Sequence, residues 1–346
     1  MGSVASVSAI TRPEVVTLTT GQHDLIFYSM VVAGLALFAM FVRTWTSTGE
    51  VGVRYRPAVL ASLSITGVAT LAYVYLAVKL DQGYVYAGGV YRPTPEALNT
   101  LVPRYMDWSV TVPLLMVEFL AVSALAGARA RSMRLVMMAS AFLMIFTGYL
   151  GATVLGAGSS QGALLLWGII SSVFFAVLYV LMLRVLASSR DAMTGAAYAS
   201  YRNAAILLLS VWGWYPVAYA IHNWLPGAGW TTTIQVGYCL ADIVAKVGFG
   251  ALIHKVAKLR TAEDVEAGVQ THPEEIWVSS VKLSDGVQPL VKGLPARDLV
   301  TAGSSTTDRV TTDRVTTDRA TTDGASVDLT RVEDRSEHSP GRHGRL

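Results

Sequence analysis

The stretch "LADIVAKVGFGALI" at residues 240–253 has the composition of a membrane-buried helix, yet it contains Asp242 and Lys246 near its middle. A lysine at the centre of a bilayer helix is unfavourable by roughly 2.5–3.5 kcal/mol on insertion scales. Ionisable residues in such places face the interior of a helix bundle and usually have a function. The stretch therefore predicts a transmembrane helix with a buried, functional charge.

The composition of the whole chain agrees with a membrane protein. Of its 346 residues, 52% are hydrophobic and 15% are charged, a balance typical of polytopic membrane proteins. The single cysteine, Cys239, excludes an intrachain disulfide and a cysteine metal site, and we predict no metal. The net charge of +3 is too small and too dispersed to indicate nucleic-acid binding. Membrane lipid is the expected surrounding.

Seven apolar stretches each have about the 20 residues that a helix needs to cross a bilayer. Helices satisfy their own backbone hydrogen bonds, which a membrane span requires. We therefore predict an all-α membrane protein, a bundle of seven transmembrane helices. The predicted segments are 23–45, 57–80, 99–126, 133–156, 162–188, 200–224 and 231–257.

Basic residues are concentrated in alternate connections between these segments. Arginines and lysines occur after the first, third, fifth and seventh segments, whereas "GAGSSQG" (156–162) and "NWLPGAGW" (223–230) contain none. The positive-inside rule then places the N-terminus outside and the C-terminus in the cytoplasm. We expect a multi-pass protein of the cell membrane.

The chain divides into three parts: an extracellular segment 1–22, the helical domain 23–258 and a cytoplasmic tail 259–346. The tail contains "TTDRVTTDRVTTDRATTD" (306–323), a repeat of five residues with alternating acid and base. So polar a stretch buries too little surface to offset its ordering entropy, so we predict a mostly disordered tail. We interpret the repeat as a low-complexity extension, with a docking element as the alternative.

Charged residues also interrupt the third segment. "RYMDWSVTVPLLMVEF" (104–119) supplies Arg104, Asp107, Thr111 and Glu118. At about 100° per residue, positions 107, 111 and 118 share one stripe, which spans about 16 Å of helix axis. The third segment therefore predicts a polar line through half of the membrane.

The interior charges of the third and seventh segments are complementary. Asp242 and Lys246 are one turn apart and share a helix face, so they and the pair Arg104 and Asp107 can neutralise one another around one site. Glu118 is left without a partner, and burial favours its neutral, protonated form. Structural ion pairing within a bundle and ion coupling in a transporter both remain possible on these grounds.

Three motifs lie in the third, sixth and seventh predicted segments: "RYMDWSVTVPLL" (104–115), "WGWYPVAYAI" (212–221) and "LADIVAKVGFG" (240–250). They resemble the third-, sixth- and seventh-helix signatures of the microbial (type 1) rhodopsins, and in particular of the light-driven outward proton pumps. "MIFTGYLG" (144–151) and the tryptophan of "LLLWG" (164–168) extend the likeness to helices four and five.

The resemblance implies a light-driven outward proton pump. In that family the lysine at the position of Lys246 holds all-trans retinal through a Schiff base. Asp107 would be the counterion and proton acceptor, and Glu118 the cytoplasmic proton donor. Trimers or pentamers are common in the family, so a homo-oligomer is expected.

The same likeness implies the remaining site residues. Asp242 would be the second counterion, Thr111 would hydrogen-bond Asp107, and the proton would leave past Arg104. Trp167 would fill the helix-five site at which carotenoid-binding relatives have Gly, so no carotenoid is expected there. The retinal pocket would comprise Lys246, Trp108, Leu115, Met144, Gly148, Trp167, Trp212, Tyr215, Pro216 and Tyr219.

Two other functions remain open at this point. A photosensor of the same fold would signal through a partner or through the long tail, although a carboxylate at Glu118 argues for the pump. A retinal-free transporter or receptor that uses the same buried ion pairs is the third hypothesis. Failure to bind retinal would distinguish it from the first two.

Overall fold

The computed structural model describes residues 16–94, 97, 100–155, 160–225 and 227–268. These residues form a bundle of consecutive helices. The helices are α1 (Thr20–Thr46), α2 (Arg56–Gly83), α3 (Leu101–Ala121), α4 (Gly127–Tyr149), α5 (Gln161–Ser188), α6 (Gly195–Trp212), α7 (Trp214–Trp224), α8 (Ala228–Asp242) and α9 (Phe249–Glu266).

Some of these helices join into longer rods. Helices α6 and α7 follow each other across Gly213, and α8 continues into α9 through the π-helical stretch Ile243–Gly248. A second π-helical stretch, Leu150–Val154, extends α4. Short 3-10 helices lie at Thr48–Glu50, Val53–Tyr55 and Arg190–Ala192.

The rods confirm the predicted bundle of seven transmembrane helices. Six are long and apolar enough to cross a bilayer by length and composition. The seventh, α3, has 21 residues, about 31 Å at 1.5 Å per residue. It carries three charged side chains, Arg104, Asp107 and Glu118.

The ends of the bundle differ from the predicted boundaries. Helix α1 begins at Thr20, because Thr19 and Gln22 form a capping box. Helix α9 continues to Glu266, beyond the predicted domain boundary at residue 258. Its last turns are held by Thr261, which accepts a hydrogen bond from the Gly52 amide, and by an Asp264–Arg54 ion pair at 3.2 Å. Most of the predicted segment 1–22 and the predicted tail beyond 268 lie outside the described residues.

A small sheet covers the end of the bundle at which α1 begins. The strands β1 (Leu18–Thr19), β2 (Tyr84–Ala87) and β3 (Val90–Pro93) are antiparallel in the order β1-β3-β2. Gly88 and Gly89 make the turn between β2 and β3 with φ angles of 65° and 83°, which suit a type I′ hairpin turn. The sequence analysis placed no strand here.

The bundle is apolar on its outside and holds its charges inside. Leu71 and Leu135 are among many large apolar side chains that point outward, as a lipid surrounding favours. In contrast, Arg104, Asp107 and Lys246 are buried. The functional groups therefore lie in the interior of the membrane domain.

Candidate functional site: a buried ion cluster beside an apolar cavity

Lys246 lies at the centre of a buried ion cluster. Its side chain is 2% exposed, its Nζ donates a hydrogen bond to Asp107 Oδ2, and the same nitrogen lies 3.5 Å from Asp242 Oδ2. The lysine is part of the π-helical stretch Ile243–Gly248. Stretches of this kind widen a helix locally and are frequent at functional sites.

Asp242 is held by hydrogen-bond donors from three helices. Tyr215 Oη donates to Oδ1 at 2.7 Å, and Tyr73 Oη donates to Oδ2 at 2.9 Å. The Trp108 indole nitrogen lies 3.4 Å from Oδ1. Both carboxylate oxygens thus have partners, which a buried carboxylate requires.

Arg104 contributes the second buried cation. Its side chain is 1% exposed and its Nη1 lies 3.9 Å from Asp242 Oδ2. The guanidinium donates to Tyr73 Oη and to Gln235 Oε1, both at 3.1 Å, and it lies 5.0 Å from the centroid of the Tyr238 ring. Together with Lys246 and two aspartates, Arg104 completes a cluster of two positive and two negative groups.

Asp107 is less completely satisfied than Asp242. Its Oδ2 meets Lys246, whereas its Oδ1 has no hydrogen-bond partner among the described residues. The predicted hydrogen bond from Thr111 goes instead to the main-chain carbonyl of Asp107, at 3.0 Å. A threonine inside a helix commonly donates to the carbonyl four residues back, so the Asp107 carboxylate keeps one open acceptor oxygen.

Glu118 is separated from the cluster. It lies eleven residues beyond Asp107 on α3, about 16 Å along the axis, and it is 1% exposed. Its Oε1 has no hydrogen-bond partner among the described residues. A Cβ built on Gly250 would lie 3.4 Å from this oxygen and 3.0 Å from Ser62 Oγ, so Glu118 sits where α3 meets α2 and α9.

An apolar cavity of about 300 Å³ adjoins the ion cluster. Lys246 and Asp242 line one part of it, and residues of α3 to α8 and of the π-helical stretch Ile243–Gly248 line the rest. Nine of the ten predicted pocket residues are in its wall: Lys246, Trp108, Leu115, Met144, Gly148, Trp212, Tyr215, Pro216 and Tyr219.

Trp167 is the exception and its prediction is corrected. Its side chain packs toward α4, since a Cβ built on Gly151 would lie 2.6 Å from Trp167 Cβ. The neighbouring residue Gly168 lines the cavity instead, packed against the ring of Tyr219. Adjacent residues point about 100° apart on a helix, so a shift of one position changes which side chain enters the cavity. The expectation that no carotenoid binds at this site rested on Trp167 and therefore loses its basis.

Comparison with known proteins identifies the family. Residues 21–259 match the model of the family described as "Bacteriorhodopsin-like protein". The chain belongs to the microbial rhodopsins. Their members are light-driven transporters or photoreceptors rather than enzymes, and they carry retinal as chromophore. This rhodopsin is accordingly a multi-pass membrane protein.

Three relatives illustrate the range of the family. The rhodopsin is 27% identical to the green-light absorbing proteorhodopsin of Gamma-proteobacterium EBAC31A08 over 222 residues, 64% of this chain and 82% of the relative. It is 32% identical to sensory rhodopsin-2 of Natronomonas pharaonis over 216 residues, 60% and 80% of the two chains. The structure of xanthorhodopsin, a light-driven ion pump with dual chromophore, is 31% identical, with a TM-score of 0.65 over 72% of this chain and 98% of that one.

The cavity of this rhodopsin fits retinal. A long apolar polyene needs a dry slot with aromatic walls, which Trp108, Trp212 and Tyr215 provide. Its aldehyde requires an amine, and Lys246 Nζ is at the cavity wall. The positive nitrogen that results needs a counterion, and Asp107 already touches that nitrogen. Chemistry and shape both agree with the cofactor of the family.

The sequence analysis missed two members of the ion cluster. Tyr73 joins Arg104 to Asp242, and Gln235 receives a hydrogen bond from Arg104 while its own Nε2 donates to Thr100 Oγ1 at 2.6 Å. Both are polar residues inside apolar segments. That signal draws attention to them but does not indicate their partner, because the partner lies on another helix.

Proposed function

We propose that this rhodopsin is a light-driven outward proton pump, with all-trans retinal bound through a Schiff base to Lys246. The observation that carries the proposal is the position of Lys246 Nζ between two buried carboxyl groups on α3. Asp107 touches the nitrogen, and Glu118 lies deeper along the same helix in an apolar setting. Retinal supplies light absorption and a light-driven isomerisation that lowers the proton affinity of the Lys246 nitrogen.

Asp107 is the proposed acceptor of that proton. Its Oδ2 is already in hydrogen-bond contact with the nitrogen, so the transfer needs no large movement. Its second oxygen is open among the described residues. Asp242, which accepts hydrogen bonds from Tyr215 and Tyr73, is the carboxylate that stays in place and keeps a negative charge beside the nitrogen.

Arg104 is the proposed gate on the release side. Arg104 lies on α3 one turn before Asp107, toward the end of the bundle that carries the small sheet. A proton on Asp107 changes the charge of the cluster by one unit, and Arg104 can respond because Tyr73 and Gln235 offer it neutral hydrogen-bond acceptors. The proton then leaves at this end.

Glu118 is the proposed donor that returns a proton to the Lys246 nitrogen. It lies on the opposite side of the lysine from Arg104, without a hydrogen-bond partner for its Oε1 among the described residues. A buried carboxyl without a cationic partner favours its protonated form. Donor and acceptor on opposite sides of one nitrogen give the transport its direction.

The direction in the membrane follows from the basic connections. We propose that the end with Arg43, Arg54 and Lys258 is cytoplasmic and that the sheet end is extracellular. Glu118 then faces the cytoplasm and release is outward. We also propose a homo-oligomer, trimer or pentamer, whose size is measured by mass photometry of the protein in lipid nanodiscs.

Illumination of cells tests the proposal. The chain is expressed with all-trans retinal in bacteria that have no pump, and the pH of an unbuffered suspension is followed in light. Acidification that a protonophore abolishes is expected. Lys246→Ala serves as the matched control and gives no light response.

The alternative function is a photosensor, as in sensory rhodopsin-2, which is 32% identical to this chain. A coloured membrane that gives no pH change would favour it and would contradict the pump. Loss of retinal binding in the wild type would instead favour a retinal-free transporter or receptor.

A second pigment is a further candidate, favoured by the cavity wall at Gly168. Leu165 and Ile169 flank this glycine, line the cavity and are more than half exposed on the lipid side. We propose that a carotenoid can lie against this wall, by analogy with the dual chromophore of xanthorhodopsin. Carotenoid bands in the excitation spectrum of pumping are expected in the wild type and absent in Gly168→Trp. Their absence from the wild type would contradict the idea.

A further inference from the structure

A second group of ionisable side chains lies beyond Glu118, away from Lys246. His254 of α9 is 4% exposed, and neither of its ring nitrogens has a hydrogen-bond partner among the described residues. Its Nε2 lies 3.7 Å from Glu50 Oε2, on the 3-10 helix Thr48–Glu50. Lys258 Nζ lies 3.1 Å from the same oxygen. The mechanism proposed above uses none of these residues.

Helix geometry relates His254 to Glu118. A Cβ on Gly250 would lie 3.4 Å from Glu118 Oε1 and 3.3 Å from Met40 Cε, so the Glu118 carboxyl is level with Gly250 on α9. His254 follows Gly250 by four residues, which places it on the same face and about 6 Å further along the axis. His254 therefore lies between Glu118 and the end of the bundle.

A polar residue of α1 accompanies His254. Thr44 follows Met40 by four residues, and the first and seventh of seven consecutive spans run in the same direction. Met40 on α1 lies beside Gly250 on α9. Thr44 and His254 each lie one helical turn further toward the same end of the bundle. Thr44 is 0% exposed and its Oγ1 has no partner among the described residues. Two buried polar groups without partners mark a polar gap in an otherwise apolar packing layer.

Glu50 connects this gap to water. Its side chain is 32% exposed, whereas that of His254 is 3% exposed. The charged groups that act on His254 among the described residues are Glu50, Lys258 and Arg43, from the 3-10 helix, α9 and α1. A partly exposed carboxylate, a buried imidazole and a buried carboxyl thus follow one another from the surface to Glu118.

We infer that Glu50 and His254 form the proton-uptake route that recharges Glu118 after each turnover. This inference rests on the proposed pump. Glu50 takes a proton from water and passes it to His254 Nε2; His254 releases a proton from Nδ1 toward the Glu118 carboxylate. The imidazole is then neutral with its proton on Nε2, and tautomer exchange restores the Nδ1-protonated form before the next turnover. One proton has moved inward for each one that Glu118 gave to Lys246. Imidazole suits the task because it both accepts and donates near neutral pH.

Flash kinetics of the purified, retinal-bound full chain test the inference. The visible band reports the protonation of the Lys246 nitrogen, and a pH dye in the medium reports proton uptake. In His254→Gln, the nitrogen regains its proton after a single flash within about twofold of the wild-type rate, because Glu118 starts protonated. Uptake from the medium slows by about tenfold or more, because no positioned acid–base group then carries the proton to Glu118. Lys255→Gln, an exposed lysine next in the chain, is the matched control and keeps the wild-type rate.

Two additional readouts separate a proton carrier from a structural residue. A small diffusible acid such as azide restores uptake in His254→Gln, and the dark absorption band and thermal bleaching midpoint stay at wild-type values. Uptake at the wild-type rate, or slow uptake that azide does not restore, would overturn the inference. If His254→Gln does not bind retinal, Glu50→Gln decides: slowed, azide-sensitive uptake supports the route and unchanged uptake overturns it. Failure of the pump itself would appear separately, as a wild type that releases no protons in light.

Discussion

Asp107 is the residue on which the proposed transport depends, because its Oδ2 contacts the Lys246 nitrogen while its Oδ1 has no hydrogen-bond partner among the described residues. In Asp107→Asn the visible band should move to longer wavelength, since the negative charge that favours a positive nitrogen is gone. Light-driven acidification should fall at least about tenfold. Asp81→Asn removes an exposed carboxylate and should change neither. An unshifted band in Asp107→Asn would contradict its role as counterion.

Tyr73 links a negative and a positive group, because its hydroxyl donates a hydrogen bond to Asp242 and accepts one from Arg104. Tyr73→Phe leaves two buried charged groups short of a partner, which costs about 1–3 kcal/mol. We expect a lower midpoint temperature for thermal bleaching of the visible band. Tyr75→Phe, whose ring is exposed on the same helix, is the control and should bleach like the wild type. Equal midpoints in both variants would show that the Tyr73 hydroxyl contributes nothing.

Some of these residues were predictable from the sequence and others were not. Asp242 and Lys246 are one turn apart, and Asp107 lies in an apolar helix, so spacing alone predicts a shared charged site. The place of Tyr73 depends on how α2 rotates against α8, which no local pattern encodes. Trp167 was predicted to line the cavity, but its neighbour Gly168 lines it. A tryptophan in a short motif indicates a helix but does not determine how that helix is rotated about its axis.

The packing of α7 on α8 depends on a missing side chain. A Cβ on Gly237 would overlap the ring of Trp214, so the two helices approach closely only because position 237 is glycine. Gly237→Ala forces the ring to move, at a cost of about 1–3 kcal/mol. The bleaching midpoint should fall, and the visible band should shift because Tyr215 adjoins Trp214 and contacts Asp242.

Gly229→Ala, on the same helix, is the control for this packing. A Cβ there would meet nothing within 4 Å, so its midpoint should stay at the wild-type value or rise slightly. A Gly237→Ala protein as stable as the Gly229→Ala protein would contradict the close approach of α7 and α8.

At the level of elements, apolar length predicted the helices well and their ends poorly. The hairpin "YVYAGGVYRP" (84–93) has aromatic and β-branched residues on both sides of Gly88 and Gly89, a recognisable hairpin pattern. The sequence analysis missed this hairpin because it used hydrophobicity only to find membrane spans. The two π-helical stretches, Leu150–Val154 and Ile243–Gly248, have no sequence signal that separates them from ordinary helix.

For the whole molecule, the end of α9 defines how much of the chain the bundle needs. A chain that ends at residue 268 keeps the Thr261–Gly52 and Asp264–Arg54 contacts, so we expect it to pump and bleach like the full chain. A chain that ends at residue 258 loses both contacts and should bleach at a lower temperature. Equal stability of the two truncated chains would place the end of the domain where the sequence analysis did. Loss of pumping on removal of 269–346 would give the repeat a function.

The most direct test of the account is the protonation of Asp107 during transport. Time-resolved infrared difference spectroscopy follows the carboxyl stretch while the visible band reports the Lys246 nitrogen. The account predicts a protonated carboxyl band that appears as the nitrogen loses its proton and that is absent in Asp107→Asn. A nitrogen that loses its proton with no such band, or with the same band in Asp107→Asn, would contradict the claim that Asp107 receives it.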